Sequence, residues 1–312
     1  MPVMHSMYRE SGKVRIDPGA CRQCEACVRI CPSDVLAVDG GNVRVRSDSF
    51  LGCIACGHCM MVCPEGAIAV TGRGISPEDL LPLPGQDKKA GADQLAALMF
   101  SRRSVRRFSD REVDAKLIER IIELAATAPM GIPPWDIGCV AVRGRQEVRR
   151  IAAEVVKGYE GFLRIFKPWL LAVMRPFAGR AKYEMFAHFV RPLAEMYGRG
   201  HREGRDLVFH DAPALLIFHQ LPCADAVDAA IACTSAMLAA ESLGLGSTII
   251  GGAPPILQRN RALCRRLGAP PGNKPSISLI LGHPAAPFRR EIRRRFTQVS
   301  TVCSSAIRNG AG

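Results

Sequence analysis

Residues 21–32 read CRQCEACVRICP and residues 53–64 read CIACGHCMMVCP. Each is C-x2-C-x2-C-x3-C-P: Cys21, Cys24, Cys27 and Cys31 run into Pro32, and Cys53, Cys56, Cys59 and Cys63 into Pro64. This is the spacing by which a chain wraps a [4Fe–4S] cube with thiolates, the fourth cysteine of each run ligating the other cluster. Cys21, Cys24, Cys27 and Cys63 are therefore assigned to one cluster, and Cys53, Cys56, Cys59 and Cys31 to the second. The two runs are an internal repeat with an offset of 32 residues, sharing the cysteines, the proline and a later Ala-Val. Halves that share ligands must fold as one unit. Paired CxxC runs also hold zinc, but zinc does not call for three cysteines in strict two-residue steps closed by Cys-Pro.

Over about residues 12–72 the pattern resembles bacterial two-cluster ferredoxins. Iron–sulfur clusters move single electrons and leave most organic substrates alone, so such a module implies an electron acceptor elsewhere in the chain. His58, between Cys56 and Cys59, reads as a side chain flanking a cluster already complete in thiolates, with tuning of its potential left open.

Outward from the cysteines, 312 residues predict about two domains. With 48% hydrophobic and 23% charged residues the chain is globular in composition. No apolar run approaches the roughly 18 residues of a membrane span. The start, MPVMHSMYRESGKVRID, has no apolar segment of the secretory kind, which predicts a cytoplasmic protein. Thirteen cysteines in that setting argue against disulfides. Net charge is +13, of which residues 1–75 supply only +1. The basic remainder admits nucleic acid, an acidic membrane surface, an acidic protein or a phosphorylated cofactor as partner.

The chain divides into an iron–sulfur domain over 1–75, a linker over 76–92 rich in Gly and Pro, and a second domain over 93–312. Leu80, Leu81 and Leu83 predict that the linker packs on a surface. Leu95, Leu98 and Met99 predict a helix with Asp93 as its N-cap, and Leu117, Ile118, Ile121, Ile122 and Leu124 a second. Strands are expected at Ile137–Val142, Ala214–Phe218, Thr248–Ile250 and Ser276–Leu281, and helices near Gln146–Lys157, Ala224–Ser242 and Pro255–Leu267. The mixture is α/β or α+β. Arg102, Arg103, Ser104, Arg106 and Arg107 form one cluster, and Arg289, Arg290, Arg293, Arg294 and Arg295 another; the two read as converging on one phosphate or, each alone, as a solvated basic face. Phosphate-loop, dinucleotide-fold and nucleophile-elbow signatures are absent. Cys139, Cys223, Cys233, Cys264 and Cys303 stand singly and read as buried structural thiols.

The order SRRSVRRF (101–108), APMGIPPWD (128–136), ESLGLGSTIIGG (241–252), LGHP (281–284) and RRRFTQV (293–299) resembles the nitroreductase family of FMN flavoproteins fused to a ferredoxin domain. The resemblance implies an α+β fold, an intimate homodimer with FMN at its interface, and FMN-dependent oxidoreductase activity. It assigns Arg102, Arg103, Ser104 and Arg106 to the ribityl chain and phosphate, and Arg293 and Arg295 to the phosphate from the C-terminal side. It also sets the backbone of Gly251 and Gly252 against the flavin N5 edge. One departure is the loop after Ala128-Pro129: the family's Asn and Gln are missing and the loop is shorter, leaving Pro129, Gly131 and Ile132 to touch a ring.

Residues 158–206 mix aromatic and aliphatic side chains with Arg and Lys. They are read as a variable helical insert: a lid over the flavin, or a surface against a partner subunit or the ferredoxin domain. A peripheral membrane contact is the less favoured third reading. Tyr183, His188, Tyr197 and His201 are candidate proton donors there. The expected function passes electrons from two [4Fe–4S] clusters to FMN and, as a hydride, to an organic acceptor: a nitroaromatic, a quinone or an activated alkene. A ferredoxin or another redox protein is the expected donor, beside NAD(P)H. The alternative is an adaptor relaying electrons to a partner protein. Nucleic-acid binding ranks low, for want of a known module.

Overall fold

The computed structural model describes residues 11–131, 136–222 and 224–302, the side chains of Met174 and Ala178 excepted. The readings placed on Ile132, Trp135, Cys223 and Cys303 lie outside the described residues.

In the cysteine-rich part, β1 (Lys13–Ile16) pairs antiparallel with β4 (Ile68–Thr71), setting Val14 opposite Val70 and Ile16 opposite Ile68. Between them lies the hairpin of β2 (Leu36–Asp39) and β3 (Asn42–Val45). Its turn is Gly40-Gly41, both at positive φ (55° and 77°), the backbone that a two-residue hairpin requires. Two short helices, α1 (Ala26–Ile30) and α2 (His58–Val62), pack on each other. Leu36, Val43, Met60, Ile68 and Val70 are buried between these elements.

The sequence repeat is repeated in the backbone. Gln23, Glu25 and Asp34 lie at φ 58°, 60° and 51°, and Ala55, Gly57 and Gly66, each 32 residues on, lie at 58°, 73° and 62°. A left-handed conformation costs an ordinary L-residue roughly 1–2 kcal/mol. Strain at Gln23, Glu25, Asp34 and Ala55, with glycine at the other two equivalent places, marks loops shaped around something other than their own packing.

In the remaining chain, α3 (Ala92–Ser101) begins from Gly91, whose N–H is held by the Gln94 side chain at 2.9 Å. Asp93 is therefore not its N-cap as expected: the bond from Gly91 N–H to the Gln94 side chain, three residues along, starts the helix two residues earlier. Asp114 caps α4 (Ala115–Ala126) by accepting from Lys116 N–H at 2.9 Å. A four-stranded antiparallel sheet has the order β5 (Ile137–Arg143), β6 (Ala214–Gln220), β8 (Lys274–Gly282), β7 (Gly246–Ile250).

The central strand β6 is buried along its whole length. Its side chains alternate between two cores. Leu215 and Ile217 face α5 (Arg145–Ile165) and α8 (Arg191–Arg202), with Val148, Ile151, Val155 and Ala194. Ala214, Leu216 and Phe218 face α4 and α9 (Ala226–Ser242), with Ile118, Ile121, Ala232 and Ala236. The domain is thus helices on both faces of one sheet, an α+β fold.

Three expectations change in detail. The helix expected to end near Lys157 runs on to Ile165, because Val155, Val156 and Tyr159 continue its buried stripe. The helix expected over Pro255–Leu267 is two, α10 (Pro254–Leu257) and α11 (Arg261–Arg266), since the Asn260 carbonyl oxygen of its side chain caps Leu263 N–H and restarts the chain. Two of the three linker leucines do not pack within the chain: Leu81 and Leu83 are 84% and 89% exposed, against 40% for Leu80. The insert forms α6 (Pro168–Ala178), α7 (Arg180–Met185), a wide turn over Phe186–Val190, and α8.

Candidate functional sites

The eight paired cysteines are brought together in two sets. One cavity is walled by Cys21, Cys24, Cys27 and Cys63, with Ile16, Val43 and Ile68 around them. A second is walled by Cys31, Cys53, Cys56 and Cys59, with Val14, Leu36, Ile54 and Val70. Each set draws its fourth thiol from the other run. Burial pushes the Cys27 thiol up from its ordinary value, and Cys21 and Cys63 add to the shift. Burial pushes Cys59 to about 12, with Cys53, Cys56 and Cys31 contributing.

Backbone donors already point at the sulfurs. Val35 N–H donates to Cys31 Sγ at 3.4 Å, and 32 residues on, Ala67 N–H donates to Cys63 Sγ at 3.3 Å. Ala55 N–H donates to Cys53 Sγ at 3.4 Å. Among the described residues no three His, Cys, Asp or Glu side chains are arranged around a single metal ion. A four-iron cube takes one thiolate per iron, so its ligands stand apart around a larger body. Four soft thiols per apolar cavity, with N–H groups aimed at sulfur, fit such a cube. His58 starts α2, is exposed overall, and lines the cavity of Cys31, Cys53, Cys56 and Cys59.

The arginine-rich segment after α3 is stitched to the sheet. Ser104 bridges Ser247 in parallel, Val105 N–H donates to Ser247 carbonyl at 3.0 Å, and Thr248 Oγ1 donates to Val105 carbonyl at 2.6 Å. Further on, Ser109 N–H reaches His283 carbonyl at 2.9 Å, and Ala285 N–H reaches Arg107 carbonyl at 3.0 Å. Val105 is buried against Gly246, where a Cβ would stand only 2.6 Å from it.

A cavity of about 410 Å³ opens beside this segment, lined by Arg103, Val105, Glu241, Phe288, Arg289 and Arg290 among others. Arg102, Ser104 and Arg106 do not line it. Of the four residues that the sequence grouped, Arg103 alone is on the cavity wall. In an extended run successive side chains face opposite ways, and Arg103 shares its side with Val105.

The charge of Arg102 is poorly compensated. The half-buried Arg102 guanidinium is held below its ordinary value by burial, then by Arg294 and Arg103, with Glu241 opposing. Of the C-terminal arginines it is thus Arg294 that stands near Arg102; Arg293 and Arg295 are exposed on the same irregular segment. His210 is held low by burial first and then by Arg106, with Asp211 opposing. Crowded cations, with Arg102 and Arg103 half-buried and Arg106 and Arg294 exposed, offer a place to an anion such as a phosphate.

His210 was not signalled by the sequence. It is held there by its turn: the Asp206 carboxylate accepts from the N–H groups of Val208 and Phe209, each at 2.9 Å, and Asp211 pairs with Arg149 at 2.6 Å. His210 and Asp211 both lie at φ 54°.

Gly251 and Gly252 lie beyond the end of β7 and do not line the Arg103 cavity. A Cβ on Gly251 would meet nothing within 4 Å, whereas one on Gly252 would stand 3.3 Å from the hydroxyls of both Tyr159 and Tyr197. Tyr197, a candidate from the sequence, is therefore buried beside this turn; Tyr159 was missed. Tyr183 and His188 meet edge to face at 6.3 Å on the insert, where His188 also faces Glu184 at 3.3 Å, and His201 is exposed. Gly131 N–H donates to the Asp228 carboxylate at 3.0 Å, anchoring the start of the altered loop. Cys233 is buried and Cys139 and Cys264 are half-buried. No helix among the described residues is long and apolar enough to cross a membrane.

Residues 99–283 match the model of the nitroreductase family, more than half of the chain. Residues 8–68 match that of the 4Fe-4S dicluster domain. Among solved structures, a nitroreductase with bound FMN from Bacteroides fragilis NCTC 9343 is 21% identical, with 67% of this chain and 98% of that one covered and a TM-score of 0.52. A nitroreductase with bound FMN from Desulfitobacterium hafniense DCB-2 is also 21% identical, with 66% and 97% covered and a TM-score of 0.49. At such identity the likeness to the first of these is one of fold alone. No curated protein matches the chain.

Proposed function

We infer, for a chain that belongs to the nitroreductase family, an FMN-dependent oxidoreductase that takes in electrons singly and delivers them in pairs to a small organic acceptor. The observation that carries this reading is the pair of crossed thiol sets, built into the same chain as the family's domain. Bound clusters would supply one-electron transfer, and bound FMN the exchange between single electrons and a hydride.

The chain's own residues have definable work. Each thiol set would hold one [4Fe–4S] cluster as thiolates, giving up protons on assembly. The N–H groups of Val35, Ala55 and Ala67 would spread the sulfur charge and raise the potential. Arg102, Ser104 and Arg106 would hold the FMN phosphate and ribityl chain, with Arg294 and its neighbours Arg293 and Arg295 closing from the C-terminal segment. His210, kept neutral beside Arg106, leaves that cation free for the phosphate. Gly251, with open space where a side chain would be, would let backbone approach the ring. Nitroaromatics, quinones and activated alkenes are the proposed acceptors, and a reduced ferredoxin the proposed donor, entering at residues 1–75 and reaching 93–312 across the 76–92 linker.

A homodimer belongs to the same reading. Phe288, Ile292 and Phe296 are 61%, 80% and 86% exposed on an irregular segment after β8. Apolar side chains strung along an open segment call for a surface outside the chain, and a second copy is the proposed one. The test is direct: anaerobically purified protein should carry about eight irons and one FMN per chain. Clusters without flavin would overturn the flavoenzyme reading, and flavin without clusters the electron-entry reading.

A further inference from the structure

We propose that Tyr159 and Tyr197 brace the Gly251–Gly252 turn from behind and are positioning residues for the ring that the turn faces. This rests on the reading that Gly251 and Gly252 approach the flavin.

A Gly-Gly turn has more backbone freedom than any other pair of residues. A turn that must present its backbone to a planar ring needs that freedom removed from outside. Here the Tyr159 hydroxyl, from α5, donates to the Gly252 carbonyl at 2.7 Å. The Tyr197 hydroxyl, from α8, comes to the same glycine, so that a Cβ on Gly252 would sit 3.3 Å from both oxygens. The two rings meet edge to face, centroids 5.4 Å apart, and both are buried. The peptide group is planar, so fixing the Gly252 carbonyl fixes one of the few torsions by which the turn could swing.

The two glycines thus have different reasons to be glycine. Gly252 is closed off by the hydroxyls; Gly251 opens onto empty space. Two phenylalanines would fill the same volume without desolvating two hydroxyls, so packing alone does not account for the pair. Burial raises both phenols, Tyr197 to about 12, and they stay protonated donors through the neutral range.

The experiment uses the full chain and the variants Tyr159→Phe, Gly251→Ala and Gly252→Ala. Readouts are amide hydrogen exchange at residues 250–253 in flavin-free protein, FMN affinity, and the bound flavin's spectrum and potential. Tyr159→Phe should speed exchange in the turn and weaken FMN binding, each by about three- to tenfold, the worth of one buried hydrogen bond. Gly251→Ala should weaken FMN without changing exchange. Gly252→Ala, which crowds both hydroxyls, should reproduce the Tyr159→Phe result, and Tyr197→Phe added to it should relieve the effect. This serves also if Tyr159→Phe fails to fold. Unchanged exchange and flavin properties in Tyr159→Phe, with Gly251→Ala impaired, overturn the brace and leave the flavin-facing turn standing. Normal FMN binding by Gly251→Ala overturns the flavin-facing turn and the brace with it.

Discussion

Cys27 and Cys63, one from each cysteine run, wall the same cavity, and Cys63 adds to the upward shift of the Cys27 thiol. The crossing is reciprocal, since Cys31 sits with Cys53, Cys56 and Cys59. The two halves of the repeat therefore cannot assemble separately. Cys63→Ser should remove the cluster of the Cys21 set while sparing most of the other, lowering iron from about eight to about four per chain. Cys31→Ser should do the converse. Iron and sulfide assay with electron paramagnetic resonance of the reduced protein checks this. Loss from the Cys53 set in Cys63→Ser would mean that ligands are not exchanged.

Arg102 and Arg103 are adjacent, yet only Arg103 lines the cavity with Val105. Arg102→Ala should weaken FMN binding by about 10- to 100-fold, as expected for a charge-assisted hydrogen bond. Arg103→Ala should change it by less than about threefold. Fluorescence titration of flavin-free protein distinguishes them; equal losses would contradict the separation of the two side chains.

Gly246 holds the phosphate segment on the sheet. A Cβ there would stand 2.6 Å from Val105, which is itself buried. Gly246→Ala should lower stability by about 1–3 kcal/mol through overpacking, seen in denaturant unfolding. Adding Val105→Ala should recover part of it. A double variant worse than the sum of the singles would refute the contact.

His210 links folding to pH. Its pKa is lowered in the folded chain, by burial and then by Arg106, so the unfolded chain takes up the proton more readily. Stability from this group is then complete above the unfolded value, about 6.5, and falls as pH drops below it. Between pH 7 and 5 the wild type should lose more stability than His210→Gln. Parallel stability–pH curves for the two proteins would contradict this.

How much could be read in advance follows from how local each feature is. Cluster ligands are set by spacing within eleven residues, so both thiol sets were legible at Cys21–Cys31 and Cys53–Cys63. β6 was legible because its first five residues, ALLIF, are apolar on both faces. The break between α10 and α11 was not, because Asn260 reads as an ordinary surface residue until its side chain is seen to cap Leu263. The Tyr159 contact joins residues 93 apart, and no local pattern encodes it. His210 is placed by a folded turn and by Arg106 on a different segment, so it too becomes visible only in three dimensions.

The central claim is that electrons enter through the cysteine-rich part on their way to the flavin. The most direct measurement is anaerobic stopped-flow reduction of the flavin by a reduced soluble ferredoxin, in wild type and in Cys31→Ser and Cys63→Ser proteins matched for FMN content. The account predicts fast flavin bleaching in wild type and at least a tenfold slower rate in either variant. Bleaching at the wild-type rate in protein that lacks a cluster would contradict it.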